Sequence, residues 1–355
     1  MKINNRTYLL IILMIFPISF LLQFFLVPNL PEKYFYDSYG ILSIANGTGN
    51  LSYFDNSYLF TGNFFRIINI FKFTTFFEWS IFLTLITIPF IIAFLKKYSN
   101  VSIDKLFFVI MTIVFFNIYI VRISKDYIQF LIWAIIYFII QSKIRNTAKL
   151  IFSLVVFILE AIFFRSYYIA IGVLFIVIYT YMIINKKNIK IGKTLILASL
   201  SIIIILTILQ KYSPSTYNQI VNLRYNMNYY REGSLDANTA INDLINNSSP
   251  ILYCINYFIN LLRLLFPFEL LFKGVKYIPF IIYQLYISIV FIKNIFIQKK
   301  NKNCFLAAIF ISYMLISNLF EPDFGSFIRH EVSLLFILFG LMLGGKNNEK
   351  HIKKN

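Results

Sequence analysis

Apolar runs recur along this chain from one end to the other, separated by short polar connections, and that property alone confines it to a helical fold in a membrane. The runs fall at residues 8–27, 79–95, 106–121, 127–140, 150–164, 168–184, 194–210, 277–297, 304–320 and 332–343. A helix of about 20 apolar residues crosses about 30 Å of hydrocarbon, where no water is present to satisfy an open backbone. The expected fold class is therefore all-α, a polytopic membrane helix bundle of about ten transmembrane helices with interfacial or re-entrant helices on its outer face. With 59% hydrophobic residues in 355, no stretch is polar enough to form a separate soluble domain. Residues 1–345 read as a single integral membrane domain and 346–355 as a basic tail.

Charge orients the spans. Lys and Arg crowd alternate connections, around Lys96 and Lys97, Lys143 and Arg145, Lys186 to Lys193, Lys293 to Lys302, and the C-terminal tail, with Lys2 and Arg6 at the start. These groups hold twenty of the 33 basic residues against only Asp104 and Glu349, so one face carries the whole formal charge of +18 and the other sums to zero. By the positive-inside rule both termini are cytoplasmic, and nothing in the basic balance requires a nucleic-acid partner. The first run follows Lys2 and Arg6 as a signal peptide would, but its length and the lack of a small-residue cleavage site read as a retained span.

Two large outer loops follow from this topology, near 28–77 and 211–276. The apolar segment 251–272 lies within the second and carries Arg263 and Pro267, which suit an interfacial or re-entrant piece better than a full span. Residues 63–77, broken by Arg66 and Lys72, read as interfacial too. Cys254 and Cys304, the only two cysteines, fall near opposite faces and imply no disulfide.

The densest chemistry lies between the last two spans, where Glu321, Asp323, Arg329, His330 and Glu331 fall within eleven residues. Charges at a membrane boundary are costly unless they pair or line a wet cavity, so the stretch reads as a site on a short hairpin turned by Pro322 and Gly325. His330 or Asp323 is the candidate base, and Arg329 opposes developing negative charge. Seven of nine arginines face outward, although the composition favours Lys, and planar donors suit phosphate or diphosphate. Arg165 follows a span of about 15 residues, some 22 Å of helix, so it should sit below the outer surface, with Glu160 as a possible pair. Arg122 and Lys125-Asp126-Tyr127 put further charge at a helix start, where capping is an adequate alternative, as it is for Asp37 in the first outer loop. No Gly-rich phosphate loop, HExxH or GxSxG is present, and His330 and His351 are the only histidines, so neither a metal site nor a bound cofactor is expected.

Taken together, Asp37, Ser124-Lys125-Asp126-Tyr127, Phe164-Arg165-Ser166-Tyr167, Arg263 before Leu265-Phe266-Pro267-Phe268, and the Glu321-to-Glu331 stretch resemble the Wzy-type repeat-unit polymerases of O-antigen and capsule synthesis, in the broad EpsG-like group. The resemblance covers most of the chain. It implies a membrane glycosyltransferase of the GT-C type in the bacterial inner membrane. Its substrates would be undecaprenyl-diphosphate-linked glycans at the outer leaflet, and its partners membrane lipid and the chain-length regulator and flippase of the same pathway. Substrate binding would then fall to Arg165, Tyr167, Arg263, Asp37, Lys125 and Asp126, and catalysis to Asp323, Arg329, His330, Glu331 and Glu321. Two other readings stay open: a GT-C transferase using a polyprenyl-monophosphate sugar with Asp37 as base, and a polysaccharide transporter or flippase.

Overall fold

The computed structural model describes residues 3–99, 101–184, 191–229, 239–247, 249–297 and 301–343. The expected tail at 346–355, together with Lys186, Lys187, Lys190, Arg231, Lys299 and Lys300, lies outside them. Fifteen α-helices make up the described chain: α1 Asn5–Leu21, α2 Tyr36–Ala45, α3 Asn56–Ile68, α4 Phe76–Leu95, α5 Ile103–Tyr119, α6 Lys125–Gln141, α7 Asn146–Phe163, α8 Tyr168–Ile184, α9 Ile191–Tyr212, α10 Pro214–Tyr229, α11 Pro250–Leu265, α12 Ile278–Ile297, α13 Asn301–Phe320, α14 Phe324–Ser333 and α15 Leu335–Leu343. Among the described residues, four helices are long and apolar enough to cross a membrane: Asn5–Asn29, Phe76–Leu95, Asn146–Phe163 and Val275–Lys293. The pair α14 and α15, bent by 73°, makes a fifth if it is one broken span. Shorter apolar helices, among them Tyr168–Ile184 and Cys304–Phe320, accompany them. The protein is an all-helical membrane protein.

The chain divides into two compact units, residues 1–166 with 329–355, and residues 167–328. In the first, α1 packs on α4 and α5. Its other side exposes Leu10, Met14, Leu21 and Phe25, the inverse of a soluble helix and suited to lipid. Polar side chains join α1 to α5 in place of a hydrophobic drive: Gln23 Nε2 donates to the Asn117 carbonyl at 3.1 Å and Asn117 Nδ2 to Ser19 Oγ at 3.0 Å. The helix runs on as a π turn over Leu22–Leu26. α15 is apolar all round and almost wholly buried against α5 and α6, as such a helix must be. Its Phe336 ring meets those of Phe94, Phe130 and Tyr137.

The segment expected to form the first outer loop, near 28–77, is more ordered than its sequence indicates. Within it α2 and α3 pack together, and Gly62 permits the approach, since a Cβ there would stand 2.5 Å from Ile44 Cγ2. Asp55 caps α3 by accepting from the Tyr58 backbone N–H at 3.0 Å. Thr75 and Glu78 form a capping box that starts α4 three residues before the expected span.

In the second unit α8 lies along α13, with the Tyr179 and Phe305 rings 3.9 Å apart. α11 packs on α9, α12 and α13 through a face that includes Tyr257, whose hydroxyl donates to the Leu315 carbonyl at 2.6 Å. The opposite face exposes Ile251, Ile255 and Leu262. The helix ends at Leu265, just before Pro267, and short 3-10 turns at Phe268–Lys273 and Val275–Tyr277 lead into α12. Cys254 and Cys304 are buried and not joined in a disulfide.

The turn expected around Pro322 and Gly325 does end α13 and start α14, but it is shorter than expected and Gly325 lies on α14. Asp323 Oδ1 accepts from the Ser326 backbone N–H at 2.8 Å, an N-cap contact that starts α14 at Phe324 and leaves only residues 321–323 as connection. Arg329, His330 and Glu331 therefore ride on helix, and the expected span at 332–343 is two helical pieces.

Candidate functional site

A charged cluster in the first unit is centred on Asp126. Ser124 caps α6, its hydroxyl accepting from the Tyr127 N–H at 3.2 Å, and so sets Asp126 in the first turn. The Asp126 side chain is 4% exposed. Three basic groups face it: Arg329 Nε at 3.2 Å from Oδ2, His330 Nε2 at 3.4 Å from Oδ1, and Arg165 Nη2 at 3.8 Å from Oδ1. Oδ1 has no hydrogen-bond partner among the described residues, so the carboxylate is held by charge and keeps unused acceptor capacity.

Arg165 is fixed from a second direction by α6, its Nη1 donating to Gln129 Oε1 at 2.9 Å. Its Nη2 is also 3.2 Å from His330 Nε2. One imidazole nitrogen thus faces both an acid and a guanidinium. With the proton on Nδ1, Nε2 accepts from Arg165; with a proton on Nε2, it donates toward Asp126. α7 runs for 18 residues, about 27 Å, so the short-span reason for sinking Arg165 fails. The side chain is nonetheless 14% exposed, because its partners on α6 and α14 enclose it.

A second carboxylate joins through Arg329, whose Nη1 is 3.6 Å from Asp37 Oδ2. Asp37 Oδ1 accepts from the Tyr58 hydroxyl, and Lys125 Nζ lies 3.8 Å over the Tyr58 ring. Burial alone would push the Asp37 carboxyl up, but Arg329, Lys125 and the Tyr58 hydrogen bond outweigh it and hold the pKa down to about 2. A carboxylate so stabilised is a weak proton acceptor near neutrality. Glu331, one residue beyond His330, is fully buried in the same unit.

The remaining expected site residues belong to the second unit. Asp323 accepts from Ser326 and, at 3.4 Å, from Thr239 Oγ1, and the Ile241 N–H bonds the Pro322 carbonyl at 2.9 Å. Glu321 Oε2 accepts from Ser326 Oγ at 2.7 Å. These contacts tie residues 239–241 to the start of α14. Arg263, expected on diphosphate, holds Glu269 side-on through Nε and Nη2 at 2.8 and 2.9 Å and gives Nη1 to the Asn242 carbonyl at 2.7 Å. It clamps the break at Pro267. Tyr167 stacks on Phe320 with ring centroids 4.9 Å apart. The eleven-residue stretch is therefore divided: Arg329, His330 and Glu331 in one unit, Glu321 and Asp323 in the other.

Sequence reasoning missed Gln129 and Tyr58 as members of the cluster. Gln129 had a signal, since it sits three residues after Asp126 on one helix face. Tyr58 had none, because only the packing of α2 against α3 brings it to Asp37. Comparison with protein-family models, with curated proteins and with solved structures yields no match to this chain.

Proposed function

We propose that this chain is a membrane glycosyltransferase that polymerises lipid-linked oligosaccharide repeat units of the undecaprenyl-diphosphate class, at the outer leaflet of the bacterial inner membrane. The observation that carries the reading is the convergence of Arg165, Arg329 and His330 on the buried Asp126 carboxylate. A glycosyl diphosphate donor is already activated, so the enzyme must stabilise the departing diphosphate and accept a proton from the acceptor hydroxyl. Arg165 and Arg329 suit the first task. His330 suits the second in the tautomer whose Nε2 proton is directed at Asp126, because Nδ1 is then the accepting nitrogen. The low pKa of Asp37 weighs against a monophosphate-sugar transferase that uses Asp37 as base. In this reading the chain spans ten times with both termini cytoplasmic; helices of 17 residues, such as α5, α6 and α8, are about 26 Å long and need only slight bilayer thinning.

A transporter of the same lipid-linked glycans is the second reading, favoured by the 73° break between α14 and α15, since broken helices are frequent in transporters. One genetic experiment separates them. Arg329→Ala and His330→Ala should leave a membrane-inserted protein at wild-type abundance and yield surface polysaccharide of single repeat units. Loss of all surface glycan, with repeat units retained at the inner leaflet, supports the transporter. Wild-type polymer from both variants, or loss in step with protein level, removes the catalytic assignment.

A further inference from the structure

Arg122 sits in the tight connection between α5 and α6, where its own N–H bonds the Ile120 carbonyl at 2.7 Å. The residue is 3% exposed. Its guanidinium lies 5.2 Å from the centre of the Phe35 ring, and its Nε and Nη1 are buried with no hydrogen-bond partner among the described residues. The acids near it, Asp37 and Asp126, are faced directly by Arg329, at 3.6 and 3.2 Å. Arg122 is thus a buried cation without a close counter-ion beside a second guanidinium. Burial first and the Arg329 charge second push its pKa down, to about 10. Two buried guanidinium nitrogens without hydrogen bonds destabilise a fold, and the Arg329 charge adds repulsion; an anion bound at Arg122 offsets both costs.

We propose that Arg122 is an oxyanion-binding residue of the Asp126 cluster and that its ligand is a phosphoryl group, as in a diphosphate ester. The proposal deepens the reading above and rests on it for the substrate class. A guanidinium suits this ligand because it offers several N–H groups in one plane to phosphate oxygens. The Phe35 ring lies over the guanidinium, and Asp37 and Asp126, which reach Arg122 only through space, are in direct ion pairs with Arg329.

The full chain is purified into phosphatidylcholine nanodiscs, and its melting is followed by tryptophan fluorescence as inorganic pyrophosphate is added. Pyrophosphate should raise the melting temperature of the wild type by binding the folded state. Its apparent affinity should fall about 10- to 100-fold in Arg122→Gln, the loss of one charge-assisted contact, and stay unchanged in Arg66→Gln. In anion-free buffer Arg122→Gln should melt no lower than the wild type, since an uncompensated buried charge has gone. If the Gln variant does not fold, Arg122→Lys keeps the charge and should bind several-fold more weakly. A phospholipid headgroup is the other source of the same chemistry; it is identified if nanodiscs containing phosphatidylglycerol, rather than pyrophosphate, give the Arg122-dependent shift. Equal shifts in wild type and Arg122→Gln, or no shift with any anion, overturn the proposal. Binding is read without polymer, so pyrophosphate bound through Arg122 in a chain whose deletion leaves the polysaccharide unchanged refutes the polymerase reading and not this one.

Discussion

Replacing Asp126 by Asn keeps the shape of the side chain and removes the charge on which three basic groups converge. At 3.2 Å, with an effective permittivity near 20, the gross attraction between Arg329 and Asp126 is about 5 kcal/mol. Desolvation of a carboxylate that is 4% exposed offsets much of it, and solvent at Arg329, 26% exposed, screens part of the rest. Removing one partner is costlier than the net value of the pair, because Arg165 and Arg329 then lose the buried carboxylate that both face, Arg329 retaining Asp37 at 3.6 Å. We expect Asp126→Asn to destabilise by about 3 kcal/mol, and Asp126→Asn with Arg329→Gln to be destabilised less than the two single effects combined, with a coupling of about 1–3 kcal/mol. Both tryptophans, Trp79 on α4 and Trp133 on α6, are buried in the unit that holds Asp126, so denaturant unfolding followed by tryptophan fluorescence reads this unit selectively. Additive effects, with coupling below about 0.5 kcal/mol, would mean that the convergence contributes no stability and that the cluster is not an electrostatic unit.

Other outcomes follow from the same contacts. Asp37, held down to about 2, contributes stability that is fully present above its ordinary value of 3.8 and lost as pH falls toward 2; Asp37→Asn should abolish that part of the acid transition in tryptophan fluorescence. Arg263→Gln should cost about 1.5–3 kcal/mol in the second unit and speed proteolysis near Pro267, while polymer per protein molecule stays at the wild-type level. Gly62→Ala should destabilise by about 1–3 kcal/mol through its clash with Ile44, with partial rescue by Ile44→Val in the double variant's thermal melt. Cysteine labelling of intact cells should modify Asn226→Cys and spare Lys143→Cys; the reverse pattern overturns the topology.

The sequence by itself determined the class of fold and much of its helical punctuation, because both are local. Apolar runs too long for a strand must satisfy their backbone as helix in lipid, and α8 occupies the very residues, 168–184, that the hydropathy pattern marks. Ser124 announces the start of α6 and Pro267 the break after α11, each by chemistry confined to a few neighbouring residues. The hydropathy pattern also marked Arg165, Arg329 and His330 as charges in places where charge is expensive, and left helix capping as an adequate reading of Asp37 and Asp126. It could not say which of them meet. Proximity along the chain grouped Arg329 and His330 with Glu321 and Asp323, whereas in the structure those acids serve the cap and the 239–241 contact, and the partners of Arg329 come from α2 and α6. Charge has no register in sequence: an ion pair forms wherever packing brings two groups within a few ångströms and withholds water. Only the folding of α2, α6, α7 and the end of α14 into one unit decided that Asp126 would be its centre and that Arg122 would be left beside it without an acid of its own.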